Sequence, residues 1–324
     1  MSKRFNPPLL LRNRHIQTLY APLFRKDIAL DMQIERFDFD DGDFVEAYWH
    51  NRPLVEEARP IVILLHGLEG SYRSPYIQGV MSALSNIEYS SVLMHFRGCG
   101  SSESNLARSY HSGDTQDARL YIESIAKRHT LSPLHAIGYS IGGNVLLKLL
   151  SEWRDSSPLK SAISVSAPMQ LDICASTMMS GFARIYQAHL LKYLKRTLLN
   201  KYHKHDIASM IGVTKEDVKK IKSIREFDER YTAQIHGFGT AQNYYNISSA
   251  KQYLHLITTP TLIIHSIDDP FMTPQILPSR GQISSSIKLE ITKYGGHVGF
   301  VGGSIWRPTY WLEERIVEYI ETKS

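Results

Sequence analysis

Leu134-His135-Ala136-Ile137-Gly138-Tyr139-Ser140-Ile141-Gly142-Gly143-Asn144-Val145-Leu146-Leu147-Lys148-Leu149-Leu150 is the stretch that decides how this chain folds. It opens on an apolar run of strand length. From Ile141 onward the apolar residues recur with helical spacing. Between the two, Gly138-Tyr139-Ser140-Ile141-Gly142 fits G-x-S-x-G, a sharp strand-to-helix turn that lifts a serine Oγ above the end of a sheet. The glycines are needed because side chains there would collide with the adjoining strand and helix. The helix that follows aims the positive end of its dipole at the serine and favours negative charge developing beside it. As a bare pattern G-x-S-x-G is weak. A strand before it and a helix after it give the context that the turn requires.

On either side, short apolar runs alternate with helical patterns, the mark of a mostly parallel α/β sheet. Residues 32–39 and 44–49 flank Asp40-Asp41-Gly42-Asp43 and read as an antiparallel hairpin. Residues 61–66 (IVILLH) form a buried strand, followed by a Gly-rich turn and a helix near 75–86. Residues 91–96 (SVLMHF) are the next strand, and 113–129 have helical spacing through Ala118, Tyr121, Ile122 and Ile125. Strands over 162–165, 261–265 and 287–291 complete the set. No clear strand falls between 165 and 261, where Phe182, Ile185, Tyr186, Leu190, Tyr193 and Leu194 follow a helical period. They predict a helical insert above the carboxyl ends of the strands, where open α/β sheets hold their ligands. Its apolar residues serve either as the insert's own core or as a substrate lining.

Three further segments supply chemistry for Ser140. His66-Gly67-Leu68-Glu69-Gly70 directly follows the strand at 61–65. That position supplies one backbone N–H of an oxyanion hole, and the residue after the nucleophile supplies the other. The expected donors are therefore Leu68 and Ile141. The alternative is an ordinary Gly-rich turn; a phosphate-binding loop is disfavoured, because the G-K-[ST] ending is missing. Asp268-Asp269-Pro270 follows the strand at 261–265, and Gly295-Gly296-His297 follows the strand at 287–291. Serine, acid, histidine is the chain order of an α/β-hydrolase triad. His297 is expected to take the Ser140 proton, with a carboxylate fixing the imidazole tautomer and stabilising imidazolium. Either aspartate can serve; the distance from the strand end and the following Pro270-Phe271-Met272 favour Asp269.

Composition bounds the remaining possibilities. The 324 residues are 43% hydrophobic and 21% charged, ordinary for a globular chain. Net charge is +5, yet residues 184–225 hold eleven Lys and Arg against three Asp and Glu, so the remainder is slightly acidic. The plain reading of that stretch is a solvated helix surface; it also suits weak peripheral contact with an anionic membrane. Two cysteines, Cys99 and Cys174, cannot build a disulfide framework and fit a reducing compartment. Met1 to His15 has no apolar run of signal-peptide length, and the longest apolar runs are strand-length. The expectation is a cytoplasmic protein. His203 and His205 lie in a basic stretch without a second ligand cluster, so no metal is expected. No G-x-G-x-x-G opens a helix after a strand, so no nicotinamide cofactor is expected either. No nucleic-acid-binding module is recognisable.

Taken together, these segments resemble the YheT-like α/β-hydrolases, family 4 of the AB-hydrolase superfamily, related to eukaryotic ABHD-type lipases and esterases. The resemblance runs through Asn13-Arg14-His15-Ile16-Gln17-Thr18, His66 to Ser71, and Met94-His95-Phe96-Arg97-Gly98-Cys99. It continues through Tyr110-His111-Ser112-Gly113-Asp114-Thr115, Gly138 to Asn144, Asp268 to Phe271 and Gly295 to Phe300. It implies ester hydrolysis by a Ser/Asp/His triad without a cofactor, carried here by Ser140, one of Asp268 and Asp269, and His297. Tyr110 and His111 either buttress the turn or are buried turn residues.

The sequence thus predicts an α/β-hydrolase fold: a mostly parallel eight-stranded sheet with helices on both faces and a helical cap insert. Residues 1–166 and 251–324 are expected to form the core and 167–250 the cap. The expected activity is hydrolysis of a small-molecule or lipid-like acyl ester through an acyl-enzyme. A thioesterase, amidase or acyltransferase would use the same triad. A non-catalytic binding protein on the same fold would show a broken triad, and here all three members are present.

Overall fold

The computed structural model describes residues 5–323. The β-strands are β1 (Gln33–Asp38), β2 (Phe44–His50), β3 (Ile61–Leu65), β4 (Ser90–Met94), β5 (Leu134–Tyr139), β6 (Ser161–Val165), β7 (Thr261–Ser266) and β8 (Ile287–Thr292). They form one eight-stranded sheet in the order β1-β2-β4-β3-β5-β6-β7-β8. β1 and β2 are the expected hairpin, with Asp38 opposite Phe44. β2 pairs antiparallel with β4, and every pairing from β4 to β8 is parallel. A short ribbon of β9 (Val301–Gly303) and β10 (Pro308–Tyr310) follows.

Continuous apolar runs appear in the central strands because both faces are covered. In β3, Ile61, Ile63 and Leu65 turn to one layer and Val62 and Leu64 to the other. The helices at the amino-terminal end and beside the sheet are α1 (Arg14–Phe24), α2 (Pro75–Ser85), α3 (Gln116–Arg128) and α4 (Ile141–Trp153). α3 and α4 cover the first layer, and α2 covers the second through Ile77, Val80, Met81 and Leu84. Those four recur at helical spacing, so one face of α2 is wholly buried.

Between β6 and β7 come α5 (Leu171–Thr177), α6 (Ala183–Lys201), α7 (Ile207–Ile211), α8 (Lys215–Lys220), α9 (Ile224–Phe227), α10 (Ala233–Ile235) and α11 (Ala241–Ser248). Among the described residues this segment holds no strand. It encloses an apolar cluster of its own, including Leu191, Leu198, Ile207, Val218 and Phe227. Along α6 the expected stripe splits: Tyr186 is buried and Leu190, Tyr193 and Leu194 are half-buried, whereas Ile185 and the preceding Phe182 are exposed. The last helix, α12 (Trp311–Glu321), joins α2 on the second layer, where Phe5, Phe300 and Trp311 form an aromatic group. No described helix is long and apolar enough to cross a membrane.

One strand is shorter than its apolar run implies. The run at 91–96 leaves the β3–β4 ladder after Met94, because the Phe96 N–H is given to His66 Nε2 at 3.0 Å instead. That diversion anchors the His66 loop described next.

Candidate active site

Because β3 and β5 to β8 run parallel, their carboxyl ends share one edge of the sheet. Leu68, Ser140, Asp269 and His297 all lie on loops leaving that edge. Ser140 has φ +51° and ψ −122°, a conformation that costs a non-glycine residue on the order of 1–3 kcal/mol. The neighbours hold it there. A Cβ on Gly142 would lie 2.4 Å from the Leu65 carbonyl oxygen, and one on Gly138 would lie 2.3 Å from the Gly142 oxygen. Only glycine permits strand and helix to approach this closely.

His297 closes a line of hydrogen bonds with two of the other residues. Its Nε2 lies 3.0 Å from Ser140 Oγ, and its Nδ1 lies 2.8 Å from Asp269 Oδ2. With Nδ1 donating to the carboxylate, Nε2 is free to accept the serine proton. Asp269 is buried, and its Oδ1 accepts from the Phe271 N–H at 2.8 Å, which fixes the carboxylate plane. The Phe271 ring stacks on the imidazole with centroids 4.0 Å apart. Asp268 faces elsewhere: its Oδ1 accepts from the Gly296 N–H at 3.0 Å, and burial raises its pKa. It braces the histidine loop, while Asp269 touches the histidine ring.

The amino-terminal helix completes the histidine loop. Thr18 Oγ1 accepts the His297 N–H at 2.9 Å while donating to the Arg14 carbonyl within α1. Gln17 is fully buried; its side chain donates to the Leu11 and Val301 carbonyls and accepts the Val301 N–H at 2.7 Å. A Cβ on Gly299 would lie 2.1 Å from the Gln17 carbonyl oxygen, so this loop packs directly on α1. The Asn13-to-Thr18 run carried the resemblance, but its task as a clamp on His297 has no local signature.

The loop after β3 is held equally firmly. His66 is buried, and burial lowers its pKa to about 3, so the ring is neutral. Its Nδ1 donates to the Gly67 carbonyl at 2.6 Å and its Nε2 accepts from Phe96. Tyr76 Oη accepts the Gly67 N–H at 3.0 Å, and Tyr110 Oη accepts the Glu69 N–H at 2.9 Å. The two amides on either side of Leu68 are thus occupied. Among the described residues, no acceptor takes the Leu68 or Ile141 N–H, and both residues border the cavity above Ser140. Glu69 ties this loop to α6: its carboxylate accepts from Tyr110 Oη and from Thr197 Oγ1, at 3.1 and 3.0 Å. Burial raises the Glu69 pKa. Sequence reasoning missed Tyr76, Glu69 and Thr197 as supports and left the part of Tyr110 open.

Ser140 and His297 open into a cavity of ≈450 Å3. Its walls are mainly apolar, with Leu171, Met178, Leu190, Leu194 and Phe227 from the segment between β6 and β7 facing Leu19 and Pro22 of α1. Cys174 also borders it, but burial pushes that thiol up to about 12, so it stays neutral and a poor nucleophile. Both cysteines are free. Among the described residues no group of three or more His, Cys, Asp and Glu side chains is arranged to hold a metal ion.

Comparison with known proteins agrees with this geometry. A family profile described as the alpha/beta hydrolase fold matches residues 60–304. The YheT protein of Escherichia coli (strain K12), whose name provisionally assigns it to the esterases, is 38% identical over 99% of this chain and 94% of its own length. Phospholipase ABHD3 of Bos taurus is 27% identical, with 94% of this chain and 75% of that protein covered. The solved structure of the Pyrococcus furiosus esterase Pf2001 is 16% identical and superposes with a TM-score of 0.58, covering 100% of this chain and 99% of that one, a likeness of fold alone. Sheet order, the turn at Ser140 and full-length similarity to YheT converge on one conclusion: the chain belongs to the α/β-hydrolase family, among relatives named as esterases and phospholipases.

Proposed function

We propose that this chain is a serine esterase that cleaves carboxylic esters with apolar, lipid-like acyl groups. The observation that carries the reading is the hydrogen-bonded line Ser140 Oγ, His297 Nε2, His297 Nδ1, Asp269 Oδ2 at the floor of an apolar cavity. Ser140 Oγ attacks the acyl carbon as its proton passes to His297 Nε2, and Asp269 balances the imidazolium. The Leu68 and Ile141 N–H groups receive the oxyanion, and each such donor is worth about 10²–10³ in rate. Collapse of the tetrahedral species expels the alcohol, which takes the proton from His297. Water then attacks the acyl-enzyme and gives a proton to His297, and as the Oγ–acyl bond breaks His297 returns that proton to Ser140 Oγ, freeing the carboxylic acid.

The acyl chain is assigned to the cavity because its walls are mainly apolar, and burying apolar chain there is favourable. Residues 167–250 act as a cap over it, contributing Leu190, Leu194 and Phe227 to its walls. Names of relatives point the same way: YheT is provisionally an esterase and ABHD3 a phospholipase. The test is hydrolysis of p-nitrophenyl esters by purified protein, wild type against Ser140→Ala. Turnover that disappears in the variant supports the reading; turnover that persists refutes it.

A further inference from the structure

Exposed apolar side chains of this chain gather on one face beside the cavity. Tyr20 of α1 is the hub. Its ring contacts Phe24 with centroids 5.3 Å apart, its hydroxyl donates to the Ile305 carbonyl, and it clusters with Leu11 and Val301. Around it Leu23, Phe24 and Trp306 point outward, at 65%, 69% and 91% exposure. Leu9 and Leu10, next to buried Leu11, are also exposed. The face extends across to the start of α6, where exposed Phe182 packs at a tilt against His15 with centroids 4.2 Å apart and His15 Nδ1 lies 3.1 Å from Tyr186 Oη. Scattered exposed apolar residues need no explanation, but a contiguous group beside a cavity mouth does.

The charge of the same segments says what covers the face. Residues 9–26, 179–192 and 303–307 contain Arg12, Arg14, Arg25, Lys26, Arg184, Lys192 and Arg307 and no Asp or Glu; the next carboxylate along the chain is Asp27. Of these cations, Arg25 is paired, with Glu313 of α12. An apolar patch ringed by cations suits a surface with anionic headgroups over acyl chains. The face is also continuous with the route to Ser140, since Leu19, Ala21 and Pro22 of α1 and Tyr186 and Leu190 of α6 line the cavity.

We propose that this face, built from the Leu9–Leu11 turn, α1, the start of α6 and the 303–307 turn, docks on an anionic phospholipid bilayer. Leu23, Phe24 and Trp306 enter the headgroup boundary, and the exposed flanking cations Arg14, Lys26, Arg184, Lys192 and Arg307 contact lipid phosphates. The inference rests on the esterase reading for its purpose, delivery of a lipid-like ester into the cavity between α1 and α6. Its physical basis is independent of catalysis.

The test uses full-length Ser140→Ala protein, so binding is read without hydrolysis. Co-sedimentation is measured with vesicles of phosphatidylcholine alone and of phosphatidylcholine mixed with phosphatidylglycerol. Of the four tryptophans, Trp306 alone is exposed; Trp49, Trp153 and Trp311 are buried. Binding to the mixed vesicles is expected to shift tryptophan emission to the blue, and Trp306→Phe is expected to abolish the shift. Salt should weaken binding, and the triple variant L23E/F24E/W306E should bind roughly a hundredfold more weakly or less, at an unchanged Tm. That variant, in the Ser140 background, should hydrolyse a water-soluble p-nitrophenyl ester as before, which separates docking from the esterase reading. No sedimentation of the parent, or equal sedimentation of the triple variant, overturns the proposal. So does a dimer in solution that the triple variant dissolves while neither form binds vesicles, since the face would then join two copies of the chain.

Discussion

Replacing Asp269 by Asn changes one atom and tests which carboxylate serves His297. In the structure Asp269 Oδ2 lies 2.8 Å from His297 Nδ1, is buried behind the ring, and has its other oxygen committed to the Phe271 N–H. An amide there keeps the shape but carries no charge to oppose imidazolium, and it can present its NH2 to Nδ1 and impose the wrong tautomer. Loss of a triad aspartate in this way costs about 10⁴ in kcat, or roughly 5.4 kcal/mol of transition-state stabilisation at 1.36 kcal/mol per tenfold. KM should change little, because Asp269 stands behind the histidine and away from the acyl chain. Asp268→Asn is the control. Its oxygen can still accept the Gly296 N–H, so kcat should fall by less than about tenfold. The assay is initial-rate hydrolysis of a p-nitrophenyl ester, with thermal unfolding by circular dichroism to verify that both variants fold. Asp269→Asn activity within tenfold of wild type, or an equal loss in Asp268→Asn, would refute the reasoning.

Thr18→Val removes the acceptor of the His297 N–H without changing side-chain volume; kcat should drop about tenfold through misplacement of the ring, with KM nearly constant, as read by steady-state kinetics. Gly142→Ala puts a methyl 2.4 Å from the Leu65 carbonyl oxygen, against backbone that cannot yield, and should destabilise the fold by about 1–3 kcal/mol or more in urea titration. Acid should weaken the fold. Burial lowers His66 to about 3 and His95, His135 and His236 to about 4, so from pH 6.5 down to about 4 the unfolded chain binds protons that these folded histidines refuse. Asp114 and Asp228, raised to about 7 and about 6, oppose this by taking protons in the folded state, which leaves a net loss of stability with falling pH. Two net protons correspond to roughly 2.7 kcal/mol per pH unit, measurable as urea midpoints from pH 6 to 4.5, and a midpoint that rises on acidification would contradict the burial of those rings.

The parts of the fold legible in the sequence are those written in local periodicity. β5 and α4 fall where apolar spacing changes from strand to helix, and the glycines at Gly138 and Gly142 mark the close approach between them. Strand order and loop position likewise bring Asp269 and His297 within reach of Ser140, because parallel strands deliver their carboxyl ends to one edge. What was not legible depends on contacts remote in sequence. Thr18 meets His297 across 279 residues, and Thr197 meets Glu69 across 128, and no nearby pattern encodes either. The α6 stripe illustrates a second limit. Its period locates a helical face, but Phe182 and Ile185 remain exposed while Tyr186 is buried, because period says nothing about what lies opposite. The run at 91–96 shows a third: β-propensity persists to Phe96, yet a side-chain acceptor on His66 ends the ladder two residues earlier.

The central claim is that His297 and Asp269 activate Ser140, and labelling of purified protein with a fluorophosphonate tests it most directly. The probe phosphonylates only a serine whose proton a neighbouring base removes. Intact mass and peptide mapping should find one adduct, on Ser140, and none in His297→Ala. A folded wild-type protein without an adduct, or an adduct on Ser140 that persists in His297→Ala, would contradict the account.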